Sequence, residues 1–133
     1  MNISAASKAA GIPSKTVRYY ADIGLVPAPF RSESGYRIYD GSTVRKLVFV
    51  RRAREFGFSI GDCRELLDLY EDLNRSSADV KRLATKRLQE IARKQRELQL
   101  LHDELALLVD ACHGDHRPDC PIIDGLSDRP TDA

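Results

Sequence analysis

The sequence predicts a mainly α-helical chain with one small β-hairpin, and three observations lead there. Short helix-forming segments near the amino terminus are punctuated by Gly11, Pro13 and Gly24 at helix-length spacing. Strand-like alternation shows at YRIY, residues 36–39, just after the turn-forming SESG. From Ser77 no Gly or Pro appears until Gly114, and the composition turns to Leu, Ala, Glu, Lys, Arg and Gln.

The 133 residues are 42% hydrophobic and 31% charged, enough for one modest core or a small core plus an elongated element, and too few for a large multidomain enzyme. MNISAASKAAG lacks the basic and apolar pattern of a secretion signal, and no run approaches the roughly 20 apolar residues of a membrane span. A cytoplasmic protein without membrane contact is expected. In a reducing compartment its three cysteines form no disulfide framework and are available to bind metal, react or pack. The net charge of +1 conceals an asymmetry: residues 1–58 hold ten Lys/Arg against four Asp/Glu, whereas residues 59–133 hold eleven against sixteen. A basic front half joined to an acidic back half suggests a polyanion contact at one end only.

The first helix is expected over ISAASKAA, stopped by Gly11, and the second over SKTVRYYADI, started by Pro13 and Ser14 and ended near Gly24. Two helices joined so tightly cross steeply, as in the helix-turn-helix, whose second helix offers its amino-terminal side chains to the DNA major groove. In LVPAPFRSESGYRIYD two prolines break helix and the YRIY alternation reads as a hairpin, or wing. Its Arg31, Tyr36, Arg37 and Tyr39 combine cations with hydrogen-bonding rings suited to phosphate and sugar. STVRKLVFVRRAREF is an amphipathic helix with a cationic ridge, ended by Gly57, and Ser59 with Asp62 forms a capping box for a helix over IGDCRELLDLYEDL.

The uninterrupted segment from Ser77 is one helix of about 35 residues, about 50 Å long. Spacings of four and three select Ala84, Leu88, Ile91, Gln95, Leu98, His102, Leu105, Val109 and Cys112 as a single seam. A monomer of this size cannot bury that stripe, so a homodimeric coiled coil is expected. After Gly114 a loop runs to Cys120, PIIDGL supplies about two helical turns from Pro121, and the tail SDRPTDA is expected to be mobile.

The run SKTVRYYADIGLVPAPFRSESGYRIYD through RRAREFGFSI, continuing along the long helix to Cys120, resembles the MerR family of bacterial transcription regulators. The resemblance spans nearly the whole chain. It implies a winged helix-turn-helix domain over residues 1–58, a connector helix over 59–75, an antiparallel coiled-coil dimerisation helix over 76–111, and a sensing loop, short helix and tail over 112–133. It implies that Lys15, Thr16, Arg18 and Tyr20 lie on the recognition helix, that Arg31, Tyr36 and Arg37 face phosphates from the wing, and that Arg54 reaches the backbone from the next helix. It further implies a homodimer on a palindromic promoter bound by RNA polymerase, activating transcription by bending and untwisting the DNA, with specificity arising partly from deformation.

Taken alone, Cys112 and Cys120 are as consistent with two packing thiols as with a ligand pair. Structural zinc wants four ligands, and this segment holds two cysteines. A soft monovalent ion such as Cu(I) is satisfied by two thiolates on opposite sides, although softness alone does not separate it from Ag(I) or Au(I). The nine-residue CxxxxxxxC loop from Cys112 to Cys120, followed by PII, resembles the copper-efflux (CueR-type) branch of the family, in which Ser77 stands where relatives sensing divalent ions usually carry a cysteine. If the long helices pair antiparallel about a centre between Lys94 and Gln95, Cys112 faces Ser77 of the partner subunit. The amino-terminal end of that helix, with Lys81 one turn in, then favours the net negative charge of two thiolates and a monovalent ion.

Other readings stay open. His113 and His116, with Asp115 and Asp119, are candidates for a Cys/His/carboxylate site for Zn or Co, against the simpler reading of solvated loop side chains. Cys63 reads as a packing residue and His102 as a partnered interface histidine. An iron–sulfur sensor expects four thiolates, and a drug sensor a large carboxyl-terminal ligand domain. A copper carrier or thiol enzyme using the same loop expects an exposed CxxC or a nucleophile–base pair, and neither motif is present, so the expectation is a regulator and not an enzyme.

Overall fold

In the computed structural model, residues 1–127 are described; from residue 128 onward the tail expected to be mobile lies outside the described residues. The described elements are α1 (Ile3–Ala10), α2 (Ser14–Asp22), β1 (Phe30–Arg31), β2 (Arg37–Ile38), α3 (Gly41–Glu55), α4 (Ile60–Glu71), α5 (Ser77–Ala111) and α6 (Pro121–Ser127). They divide between two units, Met1–Arg87 and a second beginning at Leu88, with α5 contributing to both.

In the first unit, local chemistry sets most element ends. The Asn2 side chain accepts the Ala5 N–H at 2.9 Å to open α1. Gly11 closes it in the left-handed region, φ 71°, its N–H returning to the Ser7 carbonyl at 2.9 Å. Helix α2 starts at once behind Pro13 and buries Val17, Tyr20 and Ala21 against the core. Helix α3 supplies that core with Val44, Leu47, Val50 and Ala53, and α4 adds Cys63, Leu66 and Leu67.

The hairpin is short, pairing Phe30 with Ile38 and Arg31 with Arg37 in antiparallel register. Ser32 and Gly35 close its turn: the Gly35 N–H donates to the Ser32 carbonyl at 2.9 Å and the Tyr36 N–H to Ser32 Oγ at 3.1 Å. The alternation in YRIY is real, with Tyr36 and Ile38 exposed, but it turns Tyr39 the other way. Tyr39 is 1% exposed, a core residue rather than a phosphate contact. A strand's side chains alternate faces, so the wing cannot present Tyr36 and Tyr39 together.

Half of the expected capping box forms. Ser59 Oγ accepts the Asp62 N–H at 3.0 Å to start α4, while the Asp62 carboxylate takes the Lys86 ammonium of α5 at 3.3 Å. Helix α5 runs over the predicted 35 residues, and its first turns belong to the first unit through Leu83, 1% exposed in the core. Leu83 lies beside, and not on, the seam that begins at Ala84.

In the second unit the expected seam faces outward from the single chain: Leu88, Leu98, Leu105 and Val109 are all exposed, with Leu98 at 64%. Helix α6 folds back against α5 at one close point, where a Cβ on Gly125 would lie 2.9 Å from Leu108 Cδ1. Among the described residues no helix is long and apolar enough to cross a membrane.

Candidate functional site

Two sets of side chains carry chemistry, one in each unit. In the first unit a cleft of about 390 Å³ is lined by Arg18 from α2 and by Arg31, Tyr36 and Arg37 from the hairpin, with Asn2, Ile3 and Gly35 completing it. Four of the eight residues expected to face DNA are thus gathered on one surface. Arg31 Nη1 donates to the Gly35 carbonyl at 3.1 Å, bracing the turn. Arg37 lies 3.8 Å from Asp22, tying the hairpin to the end of α2. Three guanidinium groups around one concavity make a surface for phosphate, to which arginine donates in a fork.

Lys15 is exposed and Thr16 half-buried on α2, outside the cleft's lining. Tyr20 is 8% exposed and its ring belongs to the core, whereas the neighbouring Tyr19 is 52% exposed. The surface tyrosine of α2 is therefore Tyr19. The helical period could have revealed this, because Val17, Tyr20 and Ala21 form the i, i+3, i+4 apolar stripe and leave 15, 18 and 19 outward. Arg54 also lies outside the cleft, its Nη1 donating to the Phe58 carbonyl at 2.6 Å to close the α3–α4 turn.

In the second unit Cys112, just past the end of α5, and Cys120, just before α6, bring their sulfurs to 3.9 Å. Both thiols are free and half-buried. Cys120 caps α6: the backbone N–H of Ile123, reinforced by that of Ile122 and by the Cys112 side chain, holds its thiol below the usual range. The two sulfurs lie close enough for both to reach one ion, so the donor set fits a two-coordinate soft ion.

The loop between them supplies no further ligand set. Among the described residues no three His, Cys, Asp or Glu side chains gather at distances that could hold an ion. Asp115 is engaged by Arg117, whose Nη2 lies at 2.8 Å and whose Nε and backbone N–H also donate to it; these bonds lower the carboxyl below its usual value. His113 and His116 are exposed. Cys63 is fully buried in the first unit, its thiol raised by burial and directed at the Phe58 carbonyl, as expected of a packing residue. His102 lies 3.1 Å from Asp103 on the exposed face of α5. Ser77 opens α5 and Lys81 stands one turn along, both exposed in the single chain.

Comparison with known proteins accords with this arrangement. The family model described as MerR HTH family regulatory protein matches residues 1–70, and the model described as MerR, DNA binding matches residues 44–108. The chain is 56% identical over 128 residues to the HTH-type transcriptional regulator HmrR of Rhizobium leguminosarum bv. viciae, covering 96% of this chain and 98% of that protein. It is 46% identical to the HTH-type transcriptional regulator CueR of Salmonella typhimurium (strain LT2), covering 96% and 92%. Among solved structures it resembles the transcription regulator PbrR691 of Ralstonia metallidurans CH34 in complex with lead(II), with TM-score 0.79, 32% identity and coverage of 95% and 98%. A winged helix-turn-helix with its cationic cleft, a long helix with an exposed apolar seam, and near full-length likeness to these regulators lead to one conclusion: the chain belongs to the MerR family of DNA-binding transcription regulators, which act as dimers on promoter DNA and are not enzymes.

Proposed function

We propose that the protein is a metal-responsive activator that senses a monovalent copper-group ion through Cys112 and Cys120 and switches on copper-efflux promoters by distorting the DNA. The observation that carries the reading is the pair of free sulfurs 3.9 Å apart with no third donor gathered beside them among the described residues. A divalent ion wants more ligands than this, while Cu(I), Ag(I) or Au(I) is content with two soft ones. The likeness to a regulator named CueR supports the same choice, whereas a relative crystallised with lead(II) shares only 32% identity.

In this reading residues 1–58 hold the promoter, 59–75 connect, 76–111 dimerise antiparallel and 112–127 sense. Lys15, Thr16, Arg18 and Tyr19 face the DNA from α2, and Arg31, Tyr36 and Arg37 from the wing. Cys112 and Cys120 hold the ion, which supplies a bond bridging the end of α5 to the start of α6. Ser77 of the partner subunit leaves the site without a third thiolate, and Lys81 of the partner subunit favours its net negative charge. The protein works in the cytoplasm, where both thiols stay reduced.

Competitive titration with Cu(I) and Zn(II), read out by transcription from a palindromic promoter, tests the assignment. Cu(I) should activate at lower free concentration than Zn(II), and equal or better activation by zinc overturns it. Cys112→Ser and Cys120→Ser should each keep operator binding and lose induction.

A further inference from the structure

On helix α5 the first unit ends at Arg87. Arg87 donates its Nε–H to the Phe56 carbonyl at 2.7 Å. Its guanidinium lies over Gly57, so close that a Cβ there would sit 2.1 Å from Nη2 and 2.6 Å from Cζ. Gly57 is also left-handed, φ 83°. The seat is therefore bare backbone at the carboxyl-terminal end of α3, where carbonyls lack helical partners and the helix dipole is negative. Arg54 grips the same turn from α3 itself, through the Phe58 carbonyl at 2.6 Å.

The neighbouring contacts of α5 are of other kinds. Leu83 is an apolar side chain buried in the core, a contact without a fixed direction. The Lys86 ammonium at 3.3 Å from Asp62, and Arg82 at 3.8 Å from Glu65, are charge pairs with looser geometry. A planar guanidinium docked on a glycine, with a short bond to backbone, has far less slack. Helix α3 shares one core with α1 and α2, so a shift of α5 at residue 87 acts on that frame through a single side chain bonded directly to backbone at the end of α3.

We infer that Arg87, seated on Gly57 and the Phe56 carbonyl, is the positioning residue through which the state of the dimerisation helix is passed to the DNA-binding unit. The inference rests on the metal-responsive reading above and adds the residue that couples the two functions. Removing it should uncouple them without abolishing either.

The test uses full-length dimers carrying Arg87→Ala, Arg87→Lys or Gly57→Ala, with three readouts: half-saturation of the DNA-free protein by Cu(I), operator affinity without metal, and maximal transcription at saturating metal. The first two should stay within about twofold of the parent, while maximal induction falls by about 5-fold or more, the lower edge of ordinary coupling between sites. Arg87→Lys keeps the charge but not the seat and should fail like Arg87→Ala. Gly57→Ala, which puts a methyl where the guanidinium lies, should add little to Arg87→Ala. Full induction in Arg87→Ala overturns the inference. So does a parallel fall in all three readouts with a lowered melting temperature, which would mark a merely structural role. Zn(II) runs alongside Cu(I): if the parent responds equally or better to zinc, the monovalent-ion assignment falls while the Arg87 variants still judge the joint with zinc.

Discussion

Two leucines on the same helix should fail in different ways. Leu83 is 1% exposed within the first unit, and Leu98 is 64% exposed in the single chain. Leu83→Ala removes a buried side chain from a packed core and should cost about 2–5 kcal/mol of subunit stability. Leu98→Ala touches almost nothing within its own chain and acts at the seam. Full burial of a leucine is worth about 1.5–3 kcal/mol; the exposed share still to be covered is about two thirds of that, and a two-fold dimer loses it twice. The dimer should weaken by about 2–4 kcal/mol, roughly 30- to 700-fold in its dissociation constant. Sedimentation over a wide concentration range reads the second effect, and urea unfolding at fixed concentration the first. The reasoning is refuted if Leu98→Ala leaves the sedimentation profile unchanged, or if Leu83→Ala loosens the dimer as much as Leu98→Ala does.

Arg18→Ala or Arg31→Ala should weaken operator binding about equally across sequences and lower the log–log salt slope by about 0.9 per phosphate contact, hence nearly two per dimer; anisotropy titrations over a salt series check this, and Tyr19→Phe should cost more affinity than Tyr20→Phe. Because the Ile123 N–H lowers the Cys120 thiol, its thiolate persists to lower pH, and its alkylation should reach half its maximal rate below the pH of an ordinary cysteine. The same capping contributes stability above the unfolded thiol pKa and is lost as pH falls through the folded one. Cys63, raised by burial, should label only after unfolding, as peptide mass spectrometry will reveal. Gly125→Ala pushes a methyl against Leu108 and displaces α6 with its capping cysteine, so ion affinity should drop about 10- to 100-fold, as when outer supports of a site are lost, while operator affinity in a retardation assay holds.

Element boundaries were legible in the residues because their causes are local. Gly11, Ser59 and Pro121 each act on backbone groups within a few positions, and the stretch from Ser77 to Ala111 contains nothing that interrupts a helix. Arg18, Arg31, Tyr36 and Arg37 could each be named from the sequence, but their meeting around one cleft, which Lys15, Thr16, Tyr20 and Arg54 do not line, depends on how α2 and the hairpin pack together. Tyr20 and Tyr39 lie on the inward side of their helix and strand periods, so burial claims their rings whatever their residue type suggests.

The remainder depended on which of several possible neighbours each side chain met. Helix α5 carries more apolar residues than one seam, and only packing against α3 and α4 selects Leu83 for the core while Leu88 and Leu98 face outward. The sequence brackets the loop with two cysteines, but their approach to 3.9 Å follows from α6 turning back onto α5 at Gly125. Arg87 has no motif at all; its seat exists because Gly57, thirty residues earlier, leaves backbone bare at the end of α3. Caps and periods are short-range and written in order along the chain. Contacts between residues far apart in sequence are chosen by the competition of whole faces for burial, and that competition is decided only once the helices have packed.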